Sequence, residues 1–255
     1  MKPILGFVVL AVASSSWAQC FVNGVDLGCL PYTQGGGTVT YSTFFPPIGT
    51  AYQLKLTDVG TDSAVIYNHP DQGTLGYTTG TFQAYVPGAG TNGGFDTLAP
   101  YMYFEVEPTG GPTGTYALVI VANSGFNNFT NDAWYTDGVG PNSTVHISLQ
   151  GVWTPGDAAL LGITNPAWLT CCSDLPKLSQ LDSTAIDPTL GGGTWGDLMI
   201  HGVVLGVGNY GGSGGPYTAY VNGFDVTVTP EPGTALLLAL ALPLLFAGRK
   251  YLRRT

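Results

Sequence analysis

Residues 51–57, AYQLKLT, alternate from Tyr52 onward between apolar and polar side chains. Successive side chains of a β-strand point to opposite faces, so Tyr52, Leu54 and Leu56 would share one face and leave the other face polar. A helix would instead repeat its apolar residues every three or four positions. The segment therefore predicts a β-strand with one face buried.

The same period of two recurs in eight further short runs, which are bounded by Gly, Pro, Asn and Asp. Residues 115–122 are apolar on both faces, so we expect a central strand that is covered on both sides. Strands of this length with turn signals between them predict an all-β domain, a β-sandwich of jelly-roll-like type. The further runs are residues 38–45, 64–67, 81–86, 101–106, 115–122, 144–149, 199–207 and 217–228.

One part of the chain, residues 154–190, loses this alternation. Thr154 and Pro155 precede a short run of helix-forming residues there, which is the usual order at a helix start. We therefore expect an irregular, partly helical insertion between two strands.

The chain is poor in charge, and its charges are unevenly placed. Only 9% of the 255 residues are charged, against roughly 25% in an ordinary soluble domain. All 16 acidic residues lie between Lys2 and Arg249, where the only basic residues are Lys55 and Lys177, so this part carries a formal charge of about −14. Such a surface repels phosphate backbones, which argues against a nucleic-acid partner.

The N-terminus has the parts of a secretory signal peptide in order: Lys2, an apolar run over residues 4–12, and small residues at Ser16 and Ala18. This order predicts a signal peptide over residues 1–18, cleaved before Gln19. The apolar run is shorter than the ~20 residues that a membrane-spanning helix needs. A lipoprotein signal is an alternative because Cys20 follows, although Gln19 replaces the small residue that such a signal uses.

The C-terminus combines a proline-rich motif, an uncharged and mostly apolar run over residues 234–248, and a basic end. The prolines keep the segment before the membrane extended, and the apolar run predicts a short transmembrane helix. Basic residues after such a helix stay on the cytoplasmic side of the inner membrane. The basic end consists of Arg249, Lys250, Arg253 and Arg254.

This three-part tail resembles the PEP-CTERM sorting signal of Gram-negative bacteria, whose motif positions are occupied by Pro230, Glu231 and Pro232. The resemblance covers only residues 228–254. It implies that the secretion machinery exports the chain and that an exosortase, a membrane-embedded transpeptidase, recognises the tail of residues 230–255. It also implies that residues 19–229 form a domain at the cell surface or in the extracellular matrix, associated with exopolysaccharide. A plain membrane anchor behind a proline-rich linker is the alternative.

The four cysteines are Cys20, Cys29, Cys171 and Cys172. In an exported chain an even number of cysteines predicts disulfides, and four cysteines allow three connectivities. Adjacent cysteines rarely bond to each other, so we expect Cys171 and Cys172 each to reach Cys20 or Cys29. A metal or redox site is the alternative, but the chain lacks the CxxC spacing of such sites.

No catalytic group or metal site can be named from the sequence. His69, His146 and His201 show no HxH or HxxxH spacing, and no serine lies in a Gly-x-Ser-x-Gly elbow. The densest group of oxygen ligands fits no EF-hand, so we predict no cofactor and no metal, with calcium as the alternative on ligand supply alone. That group consists of Asn127, Asn128, Asn131, Asp132 and Asp137.

The most suggestive surface lies on the strand predicted over residues 101–106. Period two sends Met102, Phe104 and Val106 to the core and gathers four other residues on the opposite face, where flat tyrosines beside carboxylates could bind a sugar. Ordinary packing of tyrosines across strands is the alternative. The residues of this face are Tyr101, Tyr103, Glu105 and Glu107.

Together these features predict a non-enzymatic, exported β-sandwich. The alternative is a secreted carbohydrate-active enzyme or carbohydrate-binding module on the same fold, with a glycoside hydrolase as the enzyme to consider. Two carboxylates about 7 Å apart, as Glu105 and Glu107 would be on a strand, approach the separation used by inverting glycosidases. A cleft that holds such a pair would favour an enzyme, and a flat tyrosine-lined face would favour binding.

Overall fold

The structure is a computed structural model. It describes residues 19–34, 37–42, 51–56, 63–68, 73–85, 100–108, 116–121, 133–151, 155–170, 174–208 and 217–230. The predicted signal peptide, and the tail from Glu231 onward with its predicted transmembrane helix, lie outside these residues. Within the described ranges, no helix is long and apolar enough to cross a membrane.

The described strands form two sheets, one of seven strands and one of six. The strands are β1 Gln19–Val22, β2 Val25–Asp26, β3 Leu30–Gln34, β4 Gly37–Ser42, β5 Ala51–Leu56, β6 Ser63–Asn68, β7 Gly73–Tyr85, β8 Tyr101–Val106, β9 Tyr116–Val121, β10 Trp134–Val139, β11 Val145–Gln150, β12 Ile200–Gly208 and β13 Tyr217–Pro230. The seven-stranded sheet runs β10-β7-β13-β1-β2, with β5 also pairing β13 and β4 pairing β5. The six-stranded sheet runs β11-β9-β8-β12-β6-β3.

The two sheets pack face to face over one apolar core. Phe104 and Val203 of the six-stranded sheet belong to the same buried cluster as Phe82 and Val226 of the seven-stranded sheet. Facing sheets with alternating inward residues define a sandwich. The predicted all-β sandwich is therefore confirmed, and its jelly-roll-like character stays a prediction.

Strand β13 organises the seven-stranded sheet because it is long enough to pair with three others. Along one side it pairs with β7 as far as Pro230, which lies opposite Gly73. Along the other side its first half pairs with β5, and residues Gly223 to Val226 pair in parallel with β1. The last strand of the sandwich thus ends at the first residue of the Pro-Glu-Pro motif.

A helical segment separates β11 from β12, and its last 3₁₀ turn ends at Asp197, beyond the predicted end at Leu190. The side chain of Trp195 in this segment is fully buried, and its ring N–H donates to the backbone carbonyl oxygen of Leu161 at 2.7 Å. Leu178 and Leu181 join the core of the sandwich. The segment is therefore an integral part of the core. It comprises α1 Pro155–Leu160, α2 Leu178–Asp182 and the 3₁₀ turns Pro166–Leu169, Pro188–Leu190 and Trp195–Asp197.

The disulfide pairing differs from the predicted one, because Cys20 bonds to Cys29 with their Cα atoms 5.3 Å apart. A tight turn with positive φ at Asn23 and Gly24 reverses the chain after β1. This turn brings the segment after β2 back beside β1, where the Leu27 N–H donates to the Cys20 carbonyl at 3.2 Å. The prediction that Cys171 and Cys172 reach these two cysteines is wrong. Cys171 and Cys172 themselves lie outside the described residues.

Candidate functional site

Strand β8 has the alternation that the sequence predicts. Met102 and Phe104 face the core and are 1% and 0% exposed, whereas Tyr103 and Glu105 point to the outer face and are half-buried. Tyr101 shares the outer face but is only 5% exposed. Its ring stacks on that of Tyr103, with centroids 5.9 Å apart and planes 25° apart. Tyr101 therefore supports Tyr103 and offers no open stacking surface of its own.

The surroundings of Tyr103 and Glu105 are largely apolar. Tyr103 lies in register with Ile120 on β9 and Val204 on β12, and these two residues are 6% and 1% exposed. Glu105 lies beside Gly202, where an added Cβ would come within 2.8 Å of its Oε2 atom. Because Gly202 has no side chain, the Glu105 carboxylate can lie against it without a steric clash. Glu107, just after the strand, is also half-buried.

His146 belongs to the same outer face, since it pairs with Ile120 and alternates with the core residues Val145 and Ile147. At 8% exposure it is buried. Of the four residues of the predicted sugar-binding face, Tyr101 is thus covered. Tyr103, Glu105 and Glu107 are its partly open members.

The outer face of the seven-stranded sheet carries a different arrangement, a row of three aromatic side chains on three neighbouring strands. Trp134 on β10 pairs with Tyr85 on β7, and Tyr85 pairs in turn with Tyr220 on β13. The ring centroids of Trp134 and Tyr85 are 5.9 Å apart, and those of Tyr85 and Tyr220 are 6.1 Å apart. We call these three residues the aromatic row.

The neighbours along each strand show which way the aromatic row points. Ala84 and Val221 are fully buried, and Tyr135 packs against the core. Because side chains alternate along a strand, Tyr85, Tyr220 and Trp134 must point outward. All three are half-buried, which leaves part of each side chain open to solvent.

Uncharged polar side chains border the aromatic row. The Asn222 side-chain amide donates to the side-chain oxygen Oε1 of Gln83 at 3.3 Å, and the exposed Thr136 lies in register with Gln83. A β-bulge at Asn222 and Gly223 sets this arrangement, because two residues of β13 oppose one residue of β7 there. The result is a set of amide and hydroxyl groups beside three aromatic rings.

The aromatic row is absent from the sequence-based prediction. Tyr85 and Tyr220 lie within predicted strands, but β10, which carries Trp134, was not predicted because its sequence, WYTDGV, lacks apolar alternation. A sequence also does not reveal which strands become neighbours. The one available signal is an aromatic residue on the polar side of each strand, as at Tyr220 between Ala219 and Val221.

The described residues show no group of three or more His, Cys, Asp or Glu that could hold a metal ion. Of the predicted calcium ligands, only Asp137 falls among them. It is 8% exposed, and its carboxylate accepts the Gly138 N–H at 2.7 Å. His69 and the other four proposed ligands lie outside the described residues, whereas His201 occupies β12.

Asp182, at the end of α2, has a partly buried carboxyl group. Burial raises its pKa from 3.8 to about 6, against a smaller opposing effect of the Tyr77 N–H, which donates to Oδ2 at 3.4 Å. Tyr77 itself has a φ of 61° and is 84% exposed. These residues join the helical segment to the start of β7.

Three solved structures are similar in fold to this chain. A family 11 carbohydrate-binding module from Clostridium thermocellum, in complex with a β-1,3-1,4-mixed-linked tetrasaccharide, shares 11% identity, with a TM-score of 0.38 over 82% of this chain and 93% of that one. The family 11 module of a cellulosomal cellulase from the same organism shares 11% identity, with a TM-score of 0.39 over 81% of this chain and 91% of the module. An exo-β-agarase shares 12% identity, with a TM-score of 0.35 over 78% of this chain and 24% of the agarase.

No family model and no curated protein matches the sequence.

Proposed function

We propose that this protein is an exported, non-catalytic β-sandwich that binds polysaccharide through the aromatic row. The observation that carries the proposal is the placement of Trp134, Tyr85 and Tyr220 in register on the solvent side of three neighbouring strands. Such a row is longer than any single side chain and suits an extended polymer.

The chemistry of the row matches that of a sugar. Aromatic side chains bury a large apolar area, and the tyrosine hydroxyl and tryptophan N–H add polar groups at the ring edge. Sugars present apolar C–H faces surrounded by hydroxyl groups, and the bordering Gln83 and Asn222 supply both donors and acceptors for those hydroxyls. A few placed polar groups around an apolar surface are typical of small-molecule recognition.

The same surroundings favour binding over hydrolysis. A glycoside hydrolase uses two carboxyl groups that flank the scissile bond. The side chains that border the aromatic row are amides and a hydroxyl, and the nearest carboxylate on this face of the described sheet belongs to Asp225, opposite Thr81. We therefore expect no hydrolysis of any polysaccharide that binds there.

The two ends of the chain support export as part of this proposal. The signal peptide over residues 1–18 would deliver the chain across the inner membrane, and the PEP-CTERM-like tail would be recognised by an exosortase. The body would then meet exopolysaccharide at the cell surface or in the extracellular matrix. We expect mass spectrometry of the surface-exposed protein to find no peptide from residues 236–254, and an intact tail there would contradict sorting.

The binding proposal is tested by replacing the central ring of the row. Tyr85→Ala removes the ring that contacts both neighbours, so we expect affinity for the host exopolysaccharide to fall about tenfold, equivalent to 1.4 kcal/mol. Affinity electrophoresis in gels that contain the polysaccharide measures this loss, with Trp134→Ala as a second row variant.

Tyr77→Ala is the matched control, because it removes an exposed tyrosine outside the row. Cooperative thermal unfolding of each variant checks that it is folded. Unchanged affinity in folded Tyr85→Ala and Trp134→Ala, or an equal loss in Tyr77→Ala, would refute the proposal.

A further inference from the structure

The rings of the aromatic row are not coplanar. The planes of Trp134 and Tyr85 are 50° apart, and those of Tyr85 and Tyr220 are 71° apart. By contrast, the rings of Tyr101 and Tyr103 on β8 lie within 25° of parallel. Sheet twist accounts for part of these angles, since neighbouring strands turn by roughly 20–25° relative to each other. The row is therefore a twisted surface.

A twisted surface discriminates between polysaccharide shapes. A sugar gains most contact when its apolar face lies parallel to an aromatic ring, because dispersion depends on close approach of many atoms. In flat-ribbon polymers such as cellulose, successive sugar rings keep their faces nearly parallel, so such a polymer could not meet two neighbouring rings of the row face to face. In a coiled polymer the faces turn from one sugar to the next, and several rings can be met.

The charges on this face also limit the ligand. The three rings and the bordering side chains of Gln83, Asn222 and Thr136 are uncharged. Asp225 lies on the same face opposite Thr81, and Lys55 occupies the position opposite Thr218. The body as a whole has 16 acidic residues. An anionic polymer would thus find no cluster of cations here and would be repelled at long range.

We propose that the aromatic row selects an uncharged polysaccharide that winds as a helix, an inference that rests on the proposed function. The ligand class follows from the angles between the rings and from the uncharged surroundings. A flat neutral ribbon would lose contact with at least one ring, and a uronate polymer would add electrostatic repulsion.

The test compares three hexasaccharides by titration calorimetry on the full-length protein. Laminarihexaose and cellohexaose contain the same six glucose units and differ only in linkage, the first being coiled and the second flat. A hexamer of mannuronate adds negative charge. We expect laminarihexaose to bind about tenfold more tightly than cellohexaose, and the mannuronate hexamer to bind most weakly at low salt, where charge repulsion is least screened.

The variants distinguish recognition by the twisted row from nonspecific binding to aromatic side chains. Tyr85→Ala removes the ring between the other two, so its affinities for laminarihexaose and cellohexaose should become equal, whereas Tyr77→Ala should keep the preference. Equal or tighter binding of cellohexaose or of mannuronate by the unmodified protein would overturn this inference and leave the proposed function standing. Failure of all three hexamers to bind, together with failure of the host exopolysaccharide, would overturn both.

Discussion

Asp182 shows how one partly buried carboxyl group sets the pH dependence of stability. Because burial raises its pKa from 3.8 to about 6, the folded protein holds this proton more tightly than the unfolded chain does. Between those two pKa values the folded state binds more protons, so the free energy of unfolding falls as the pH rises. At neutral pH the charged carboxylate therefore costs stability.

We expect Asp182→Asn to stabilise the protein by about 1 kcal/mol near neutral pH, because it removes a charge from a partly buried site. Asparagine keeps an oxygen that can accept the Tyr77 N–H, so the substitution removes mainly the charge. Urea unfolding at several pH values should also show a flatter profile between pH ~4 and ~6. A variant that is less stable at neutral pH would contradict this account.

Asp187 is the matched control with the opposite sign. Hydrogen bonds from the Thr189 hydroxyl and backbone N–H lower the pKa of its exposed carboxyl group. Its charged form is favoured in the folded state, so this contribution is present at neutral pH and is lost on acidification. Asp187→Asn should therefore not stabilise the protein at neutral pH. Stabilisation by both substitutions would point to net charge as the cause.

At the scale of elements, the disulfide closes the hairpin of β1 and β2 and does not join distant parts of the chain. Cys20 and Cys29 are nine residues apart in sequence, and a loop of this size contributes about 2–3 kcal/mol in the chain-entropy model. We expect Cys20→Ser with Cys29→Ser to lower the free energy of unfolding by that amount. Non-reducing peptide mapping should find the Cys20–Cys29 link, and a Cys20–Cys171 or Cys20–Cys172 peptide would contradict the pairing.

The strands that the sequence predicts are those with a strong apolar pattern, either alternating or continuous. Residues 101–106 match β8 at both ends, and residues 115–122 contain β9, where Ile120 is buried on the face away from the core. Strand β7 begins at Gly73, well before the predicted start at Thr81. The prediction missed its first half because that sequence is rich in Gly and Thr and has no hydrophobic period. Backbone pairing with β13 holds this half in the sheet, although its side chains show no strand pattern.

The candidate site was harder to predict than the strands because it depends on which strands become neighbours. Tyr101, Tyr103, Glu105 and Glu107 follow one another along the chain, so their shared face can be predicted from a local pattern. The aromatic row instead joins β10, β7 and β13, which are far apart in sequence, and its alignment depends on registers formed only in the folded sheet.

At the scale of the whole molecule, β13 places the boundary between body and tail at Pro230. Val228 is 1% exposed in the core, and Thr229 pairs with Thr74 while its hydroxyl donates to the Gly76 carbonyl. The chain must therefore reach at least this point before the sandwich is complete. The sorting motif would begin on the last residue of β13, without a linker, so any processing that removed part of β13 would weaken the body.

Two truncated proteins test this boundary. A chain of residues 19–230 should unfold cooperatively and retain polysaccharide binding, because it keeps every described strand. A chain of residues 19–226 loses the burial of Val228 and the pairing of Thr229, and burial of one valine side chain alone contributes about 1.5–3 kcal/mol. We expect its free energy of unfolding in urea to drop by at least this amount. Equal stability of the two chains would show that the end of β13 is not part of the folded unit, and that the boundary between body and tail lies before Thr227.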